Sequence, residues 1–297
     1  MSSSVNFIDP NVLASVDNLE LRARLAVEGF LSGLHRSPHR GFSVEFTDYR
    51  HYYQGDDTRH IDWKLYGRSD KLYIKQFEDE TNSRCTILLD TSASMSYASG
   101  EVSKLEYGRT LAAAMAYFIM RQRDAVGLIT FSDKVNHVLP AQYRQGHLMQ
   151  ILRTLVHLEA GEATDTVRPL RDLAANLRSR SFVVLITDLL EGEEQSIRLL
   201  QQMRSMGHEV IVFHVMDDAE LNFPFQEVSE FVDLESDASL LTSPGAIRQE
   251  YLDAVGEFTE SCRKQCQSHG VDYCLLNTSE PLDKALAAYL TRRGRSF

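Results

Sequence analysis

Apolar and polar positions repeat along the chain at two different periods, and these periods predict most of its secondary structure. Short runs that are apolar throughout are typical of parallel strands covered on both faces. Such runs occur at 85–90, 125–131, 182–188, 209–215 and 271–276. Another run, at 134–140, follows its predecessor after only a short turn. It has no room for a crossover, so it should pair antiparallel at an edge of the sheet.

Longer segments carry apolar residues at the spacing of a helix face. Helices are predicted at 10–35, from Ser103, at 147–158, 167–179, 194–206 and 245–268, and from Pro281. Ser103 and Glu106 form an S-x-x-E capping box, and the helix after it is apolar nearly all round, which predicts that it is buried.

Strands that alternate with helices of this length form a parallel, doubly wound sheet with right-handed crossovers. The predicted fold class is therefore α/β, with a doubly wound and mostly parallel sheet of the Rossmann type. Residues 1–80 are predicted to form an extension of one helix and short strands packed on the core. Residues 81–297 are predicted to form the α/β domain itself.

Composition narrows the classes of protein to which the chain can belong. A net charge of −11, from 42 acidic and 31 basic residues, argues against nucleic acid or an anionic membrane as a partner. No apolar run reaches the ~20 residues of a membrane span, and the first residues do not form a signal peptide. The four cysteines lack C-x-x-C spacing. We therefore expect a cytoplasmic protein with reduced thiols.

Side chains that carry oxygen gather where three segments should reach one edge of the sheet. They are Asp90, Ser92 and Ser94 in D-x-S-x-S, Thr164, Asp165 and Thr166 in a loop, and Thr187 and Asp188 at a strand end. Ligands of such sheets bind beyond the carboxyl ends of the strands. Carboxylates and hydroxyls with no Cys or His nearby in sequence favour Mg²⁺ or Mn²⁺ over Zn²⁺.

Two other interpretations of the D-x-S-x-S segment compete with a metal site. One is ordinary turn capping, which would suffice for this segment taken alone. The other is catalysis, with Asp90 as the nucleophile of a phosphohydrolase. Such an enzyme normally has a second acid two residues later, where this chain has Ser92. The sequence also lacks G-x-S-x-G, G-x-x-x-x-G-K-[ST], G-x-G-x-x-G and H-E-x-x-H. We therefore predict a protein that is not an enzyme.

The whole set of oxygen ligands resembles the metal-ion-dependent adhesion site of von Willebrand factor A domains. That site combines D-x-S-x-S with a later loop threonine and a later strand-end aspartate. Carried over residue by residue, the resemblance implies a metal site of Asp90, Ser92, Ser94, Thr164 and Asp188. Thr164 is preferred to Thr166 because "TD" leads into a helix. Many such domains have glycine after the last aspartate, where this chain has Leu189.

The preceding segment, "YYQGDDTRHIDWKLYGRSDKLYIKQFEDE", runs into "LLDTSASM" and is similar to the signature of a bacterial family, domain of unknown function 58. The similarity is strong over residues 42–190 and loose after them. Its members resemble von Willebrand A domains and are often encoded beside MoxR-type AAA+ ATPases, which are thought to act in assembling or maturing other proteins.

This resemblance implies a non-enzymatic, metal-ion-dependent module that binds an acidic side chain of a protein partner. A MoxR-type AAA+ ATPase is the candidate partner. The alternatives left open are a Mg²⁺-dependent phosphohydrolase and a scaffold whose metal site is vestigial.

Two stretches of the chain have no assigned role. Charged residues alternate around Trp63 in the segment 59–64, which we interpret as a salt-bridged strap with Trp63 packed on the sheet. Residues 217–237 carry eight acidic residues and no Lys or Arg, which indicates a solvated face.

Overall fold

A computed structural model gives the fold of the chain. It describes residues 10–36, 49–51, 66–67, 71–75, 84–161, 167–176, 180–190, 193–227, 229–232 and 239–293. Trp63 and the rest of the segment 59–64 lie outside these residues, so the packing predicted for this tryptophan stays a prediction.

The strands of the described residues are β1 (Tyr49–His51), β2 (Tyr73–Lys75), β3 (Arg84–Asp90), β4 (Ala125–Phe131), β5 (Val135–Gln142), β6 (Phe182–Thr187), β7 (Glu209–Met216), β8 (Ser229–Val232), β9 (Ser239–Thr242) and β10 (Asp272–Asn277). The α-helices are α1 (Pro10–Ala14), α2 (Leu19–Arg36), α3 (Lys104–Arg121), α4 (His147–Val156), α5 (Val167–Asn176), α6 (Glu193–Ser205), α7 (Asp218–Asn222), α8 (Pro244–Ser268) and α9 (Asp283–Arg293). A short 3₁₀ helix covers Ala93–Ser96.

Six of these strands form one sheet in the order β10-β7-β6-β3-β4-β5. Every neighbouring pair is parallel except β4 and β5, which are antiparallel. Both the predicted fold class and the antiparallel edge strand are confirmed. The central strand β3 lies between β4 and β6, so the end of β3 meets the ends of both neighbours.

Helices cover both faces of the sheet because side chains of each strand alternate between two apolar cores. In β3, Ile87 and Leu89 belong to the core formed with α2, α3, α4 and α9. Leu88 belongs to the core formed with α5, α6 and α8. This two-sided burial explains why the strands are apolar throughout in sequence.

The N-terminal helices share the first of these cores. Leu13 and Phe30 lie in the same cluster as residues of α3 and the sheet. The single helix predicted at 10–35 is divided into α1 and α2, and Asn18 accepts a hydrogen bond from the backbone N–H of Leu21 at 3.2 Å.

The chain divides into two compact units. Residues 1–36 and 83–297 make one unit, and residues 37–82, which include the antiparallel pair β1 and β2, make the other. The division predicted between residues 80 and 81 falls among residues outside the described part of the chain and stays a prediction.

The acidic stretch 217–237 contains structure that the sequence analysis did not predict. Its described residues include α7 and β8, and β8 pairs antiparallel with β9. None of the helices in the described part of the chain is long and apolar enough to cross a membrane.

Candidate metal centre

The strand ends bring four of the five predicted metal ligands to one edge of the sheet. Asp90 is the last residue of β3, and Ser92 and Ser94 lie in the turn that follows it. Asp188 follows Thr187, the last residue of the neighbouring strand β6. The fifth predicted ligand, Thr164, lies outside the described residues.

Among the four predicted ligands that the structure describes, Asp90 is the most enclosed, with an exposed fraction of 1%. Its Oδ1 accepts a hydrogen bond from the backbone N–H of Ser92 at 2.9 Å, and its Oδ2 accepts one from Thr187 Oγ1 at 2.6 Å. Burial, followed by the charge of Asp188, raises the pKa of Asp90 to about 7. A buried carboxylate beside another carboxylate is stabilised by a cation.

The two serine hydroxyls are held together by the 3₁₀ helix. Ser92 is its N-terminal capping residue, and its carbonyl accepts a hydrogen bond from the backbone N–H of Met95 at 3.2 Å. The side chain of Met95 is fully buried, which fixes this turn against the core. Ser92 Oγ and Ser94 Oγ therefore lie 3.1 Å apart and face each other.

Asp188 is paired with a lysine that the sequence analysis missed. Lys104 Nζ donates hydrogen bonds to Asp188 Oδ2 and to Glu220 Oε1, both at 2.8 Å. The lysine side chain is only 1% exposed. Burial alone would lower the pKa of Lys104, but the charges of Asp188 and Glu220 outweigh it and raise that pKa above its ordinary value. Lys104 is therefore a permanent cation beside a predicted metal ligand.

The residue after Asp188 adopts a glycine-like conformation without being glycine. Leu189 has a φ of 53°, in the left-handed region that glycine favours. Its backbone N–H donates to Thr187 Oγ1 at 3.1 Å, and its side chain is buried in the second apolar core. The backbone turn that glycine would permit after the aspartate is thus formed here with leucine, and packing of the side chain holds it.

Gly161 is the last described residue before the segment that contains Thr164. The backbone N–H of Gly161 donates to the carbonyl of Thr91 at 2.7 Å, one residue after Asp90. A Cβ at this glycine would lie 3.0 Å from Ser132 Oγ and 3.4 Å from that carbonyl. A side chain at residue 161 would therefore require Ser132, which follows β4, to shift slightly. Residue 161 therefore lies beside the candidate site.

The described ligands fit a small hard cation. All of their donor atoms are oxygens, which Mg²⁺ and Mn²⁺ prefer. Neighbouring ligands of an octahedral Mg²⁺ lie roughly 3 Å apart when each is about 2.1 Å from the ion. The 3.1 Å between the two serine oxygens matches this spacing. In the described part of the chain, no group of three or more His, Cys, Asp and Glu residues could hold a metal, so a metal ion at this edge would also need the serine hydroxyls as ligands.

Known structures share the fold. A conserved hypothetical protein, BatB from Bacteroides thetaiotaomicron, is 15% identical with a TM-score of 0.51, over 72% of this chain and 100% of that one. An aerotolerance-related membrane protein from Bacteroides fragilis is 16% identical with a TM-score of 0.50, over the same shares. The neighbours also include the SpRpn10 VWA domain, which is 16% identical with a TM-score of 0.40 over 69% of this chain and 93% of that one.

Proteins related in sequence align with nearly the whole chain. The uncharacterized proteins Rv1480 of Mycobacterium tuberculosis and Mb1516 of Mycobacterium bovis are each 22% identical over 293 residues, which cover 97% of this chain and 91% of each relative. Residues 48–260, more than two thirds of the chain, match one family along their whole length. The chain therefore belongs to the family described as protein of unknown function DUF58.

Proposed function

We propose that this protein is a non-enzymatic binding module whose Mg²⁺ or Mn²⁺ ion accepts a carboxylate from a protein partner. The observation that carries the proposal is the convergence of Asp90, Ser92, Ser94 and Asp188 at one edge of the sheet. Thr164 would complete the set as the family resemblance implies.

Two kinds of ligand would hold the ion: charged carboxylates and neutral hydroxyl oxygens. Asp90 supplies a carboxylate whose orientation is set by Ser92 N–H and the Thr187 hydroxyl. Ser92 and Ser94 supply neutral hydroxyls. When bound, the ion supplies a local positive charge that an acidic side chain of a partner can meet directly. Because so few of the ligands are charged, the site would keep an attraction for one more carboxylate.

The partner we propose is a MoxR-type AAA+ ATPase, or a protein on which such an ATPase acts, in the assembly or maturation of other proteins. Support for this partner comes from the family resemblance. The net charge of −11 would disfavour long-range attraction of an acidic partner, so recognition would depend on the ion at short range.

Phosphohydrolysis is the enzymatic alternative, and the site offers it little support. Both oxygens of Asp90 already accept hydrogen bonds, and Ser92 stands where a general acid would be needed. A screen of phosphate esters with Mg²⁺ tests it directly. Turnover that disappears in Asp90→Asn would replace the binding module with a phosphohydrolase.

The binding proposal is tested by recovery of the partner on the tagged protein from its own host. We expect the ATPase to be recovered with the wild type, and to be lost with Ser92→Ala/Ser94→Ala and with EDTA. Ser96→Ala is the matched control, because Ser96 belongs to the same 3₁₀ helix but its hydroxyl donates to the carbonyl of Ala93 at the surface. Equal recovery in every sample would rule out a metal bridge and favour a scaffold with a vestigial site.

A further inference from the structure

Lys104 occupies a position that local energetics oppose. It is the first residue of α3, directly after the capping residue Ser103, where the helix dipole disfavours a positive charge. It is also 1% exposed, and burial penalises an ammonium group. Its backbone N–H donates to the carbonyl of Tyr97, in the loop that follows D-x-S-x-S. A lysine at this position therefore depends on partners from elsewhere in the chain.

Those partners are acidic and come from distant segments. Asp188 and Glu220 are 84 and 116 residues away in sequence, and each accepts a hydrogen bond of 2.8 Å from Lys104 Nζ. Glu220 is itself fixed, because its Oε2 accepts a hydrogen bond from the backbone N–H of Asp217 at 2.8 Å. The ammonium is thus held between the end of β6 and the start of α7.

The formal charges around this ammonium do not balance. Asp188 and Glu220 bond to the single ammonium of Lys104, and the Asp90 carboxylate lies at the end of the neighbouring strand β3. When all three carboxylates are ionised, as metal binding would require, three negative charges against one positive charge leave an excess of two. A divalent cation neutralises that excess, whereas without Lys104 the same ion would face three negative charges.

We propose that Lys104 is a built-in counter-cation that weakens the divalent-ion affinity of the site and holds Asp188 in place when no metal is bound. This inference rests on the proposed function, because it concerns the same ligands. A bound metal ion would share Asp188 with the ammonium, and the two cations would repel each other. The affinity of the site is thereby set low enough for the ion to exchange, and the protein folds without it.

The test compares Mn²⁺ binding by Lys104→Met with binding by the wild type, measured from the paramagnetic signal of free Mn²⁺. We expect Lys104→Met to bind Mn²⁺ at least tenfold more tightly, which corresponds to about 1.4 kcal/mol. Arg22→Met is the matched control, because it also removes a buried cation, but one that pairs with Glu106 and not with a predicted metal ligand. Lys104→Gln serves if Lys104→Met does not fold.

The outcomes separate this inference from the proposed function. Equal or weaker Mn²⁺ binding by both Lys104 variants overturns the inference and leaves a wild-type metal site standing. Binding by the variants with none by the wild type supports the inference and overturns the metal-dependent function. Absence of binding in all proteins overturns both. Tighter binding by Arg22→Met as well would show a general effect of net charge, which also overturns the inference.

Discussion

Two ion clusters begin on the same turn of α3 and are built in opposite ways. At the candidate site, the ammonium of Lys104 lies between two carboxylates, those of Asp188 and Glu220. Glu106 lies two residues after Lys104 on the same helix, and its carboxylate lies between two guanidinium groups. These belong to Arg22 of α2 and Arg109 of α3.

This difference in charge gives the two clusters different roles: the Glu106 cluster joins helices, whereas the Lys104 cluster can accept a ligand. The Glu106 cluster has an excess of positive charge and ties α2 to α3, and Arg109 also donates to the carbonyl of Leu158 at 2.6 Å. It cannot attract a metal ion. The Lys104 cluster has an excess of negative charge, and its Asp188 lies at the same edge of the sheet as Ser92 and Ser94. The sign of the excess charge thus distinguishes two neighbouring clusters whose ion pairs are buried or half-buried.

Removal of the cation should have the largest effect at the Lys104 cluster. Lys104→Met leaves two carboxylates without their partner, and breaking a buried pair costs about 3–5 kcal/mol. Arg22→Met should cost less, about 1–3 kcal/mol, because Glu106 keeps its 2.8 Å bond to Arg109. Urea unfolding in EDTA measures both free energies, and equal losses would contradict the comparison. In a double-mutant cycle, Asp188→Asn should recover part of the loss in Lys104→Met.

Divalent ions should stabilise the protein through one cluster only. Mn²⁺ at 100 times its dissociation constant should raise the free energy of unfolding by about 2.7 kcal/mol, seen as a rise in melting temperature. Asp90→Ala should remove that rise, whereas Arg22→Met should keep it. A rise of the same size in Asp90→Ala would place the ion elsewhere.

Backbone strain should be measurable beside the site. At Leu189, with its φ of 53°, Gly should be better tolerated than Ala by about 1 kcal/mol. At Leu200, buried in the ordinary helix α6, the order should reverse by about 1 kcal/mol, because Gly is disfavoured within helices. Thermal unfolding of the four variants checks both differences. If Ala were better tolerated than Gly at Leu189, as it should be at Leu200, Leu189 would carry no backbone strain.

An exposed ion pair gives the baseline for both clusters. Arg198 and Glu194 pair at 3.1 Å on α6, with side chains 73% and 71% exposed. Arg198→Ala should change the free energy of unfolding by less than about 0.5 kcal/mol. A loss of about 3 kcal/mol in the same urea titrations, the value for a buried pair, would mean that burial does not govern these energies.

Local patterns in the sequence predicted the elements that carry the site. The apolar run before Asp90 and the capping residue Ser103 each depend on neighbours within a few residues, so β3 and α3 were predicted correctly. The capping box was only half right. Ser103 accepts from the backbone N–H of Glu106 at 3.1 Å, but the carboxylate of Glu106 binds Arg22 and Arg109. A reciprocal capping box occurs instead between Asp217 and Glu220.

Contacts between distant segments could not be predicted in this way. Lys104 meets Asp188 and Glu220 only because the fold brings β6 and α7 to the start of α3. A signal was nevertheless present in the sequence, since a lysine opens a helix that is otherwise apolar nearly all round. The hairpin β8–β9 was missed for another reason: β8 has four residues and lies in a stretch dominated by acidic side chains.

Because β3 is central in the sheet but early in the chain, it lacks one of its partner strands during part of synthesis. The Thr187 hydroxyl that binds Asp90 lies 97 residues further along. At a synthesis rate of about 5–20 residues per second, it follows after roughly 5–20 s. Until then, the edge of β3 that pairs with β6 has no partner strand, and its residues from Cys85 to Leu89 are nearly all apolar. An unpaired apolar edge favours aggregation, so we expect the emerging chain to be most prone to aggregate during this interval.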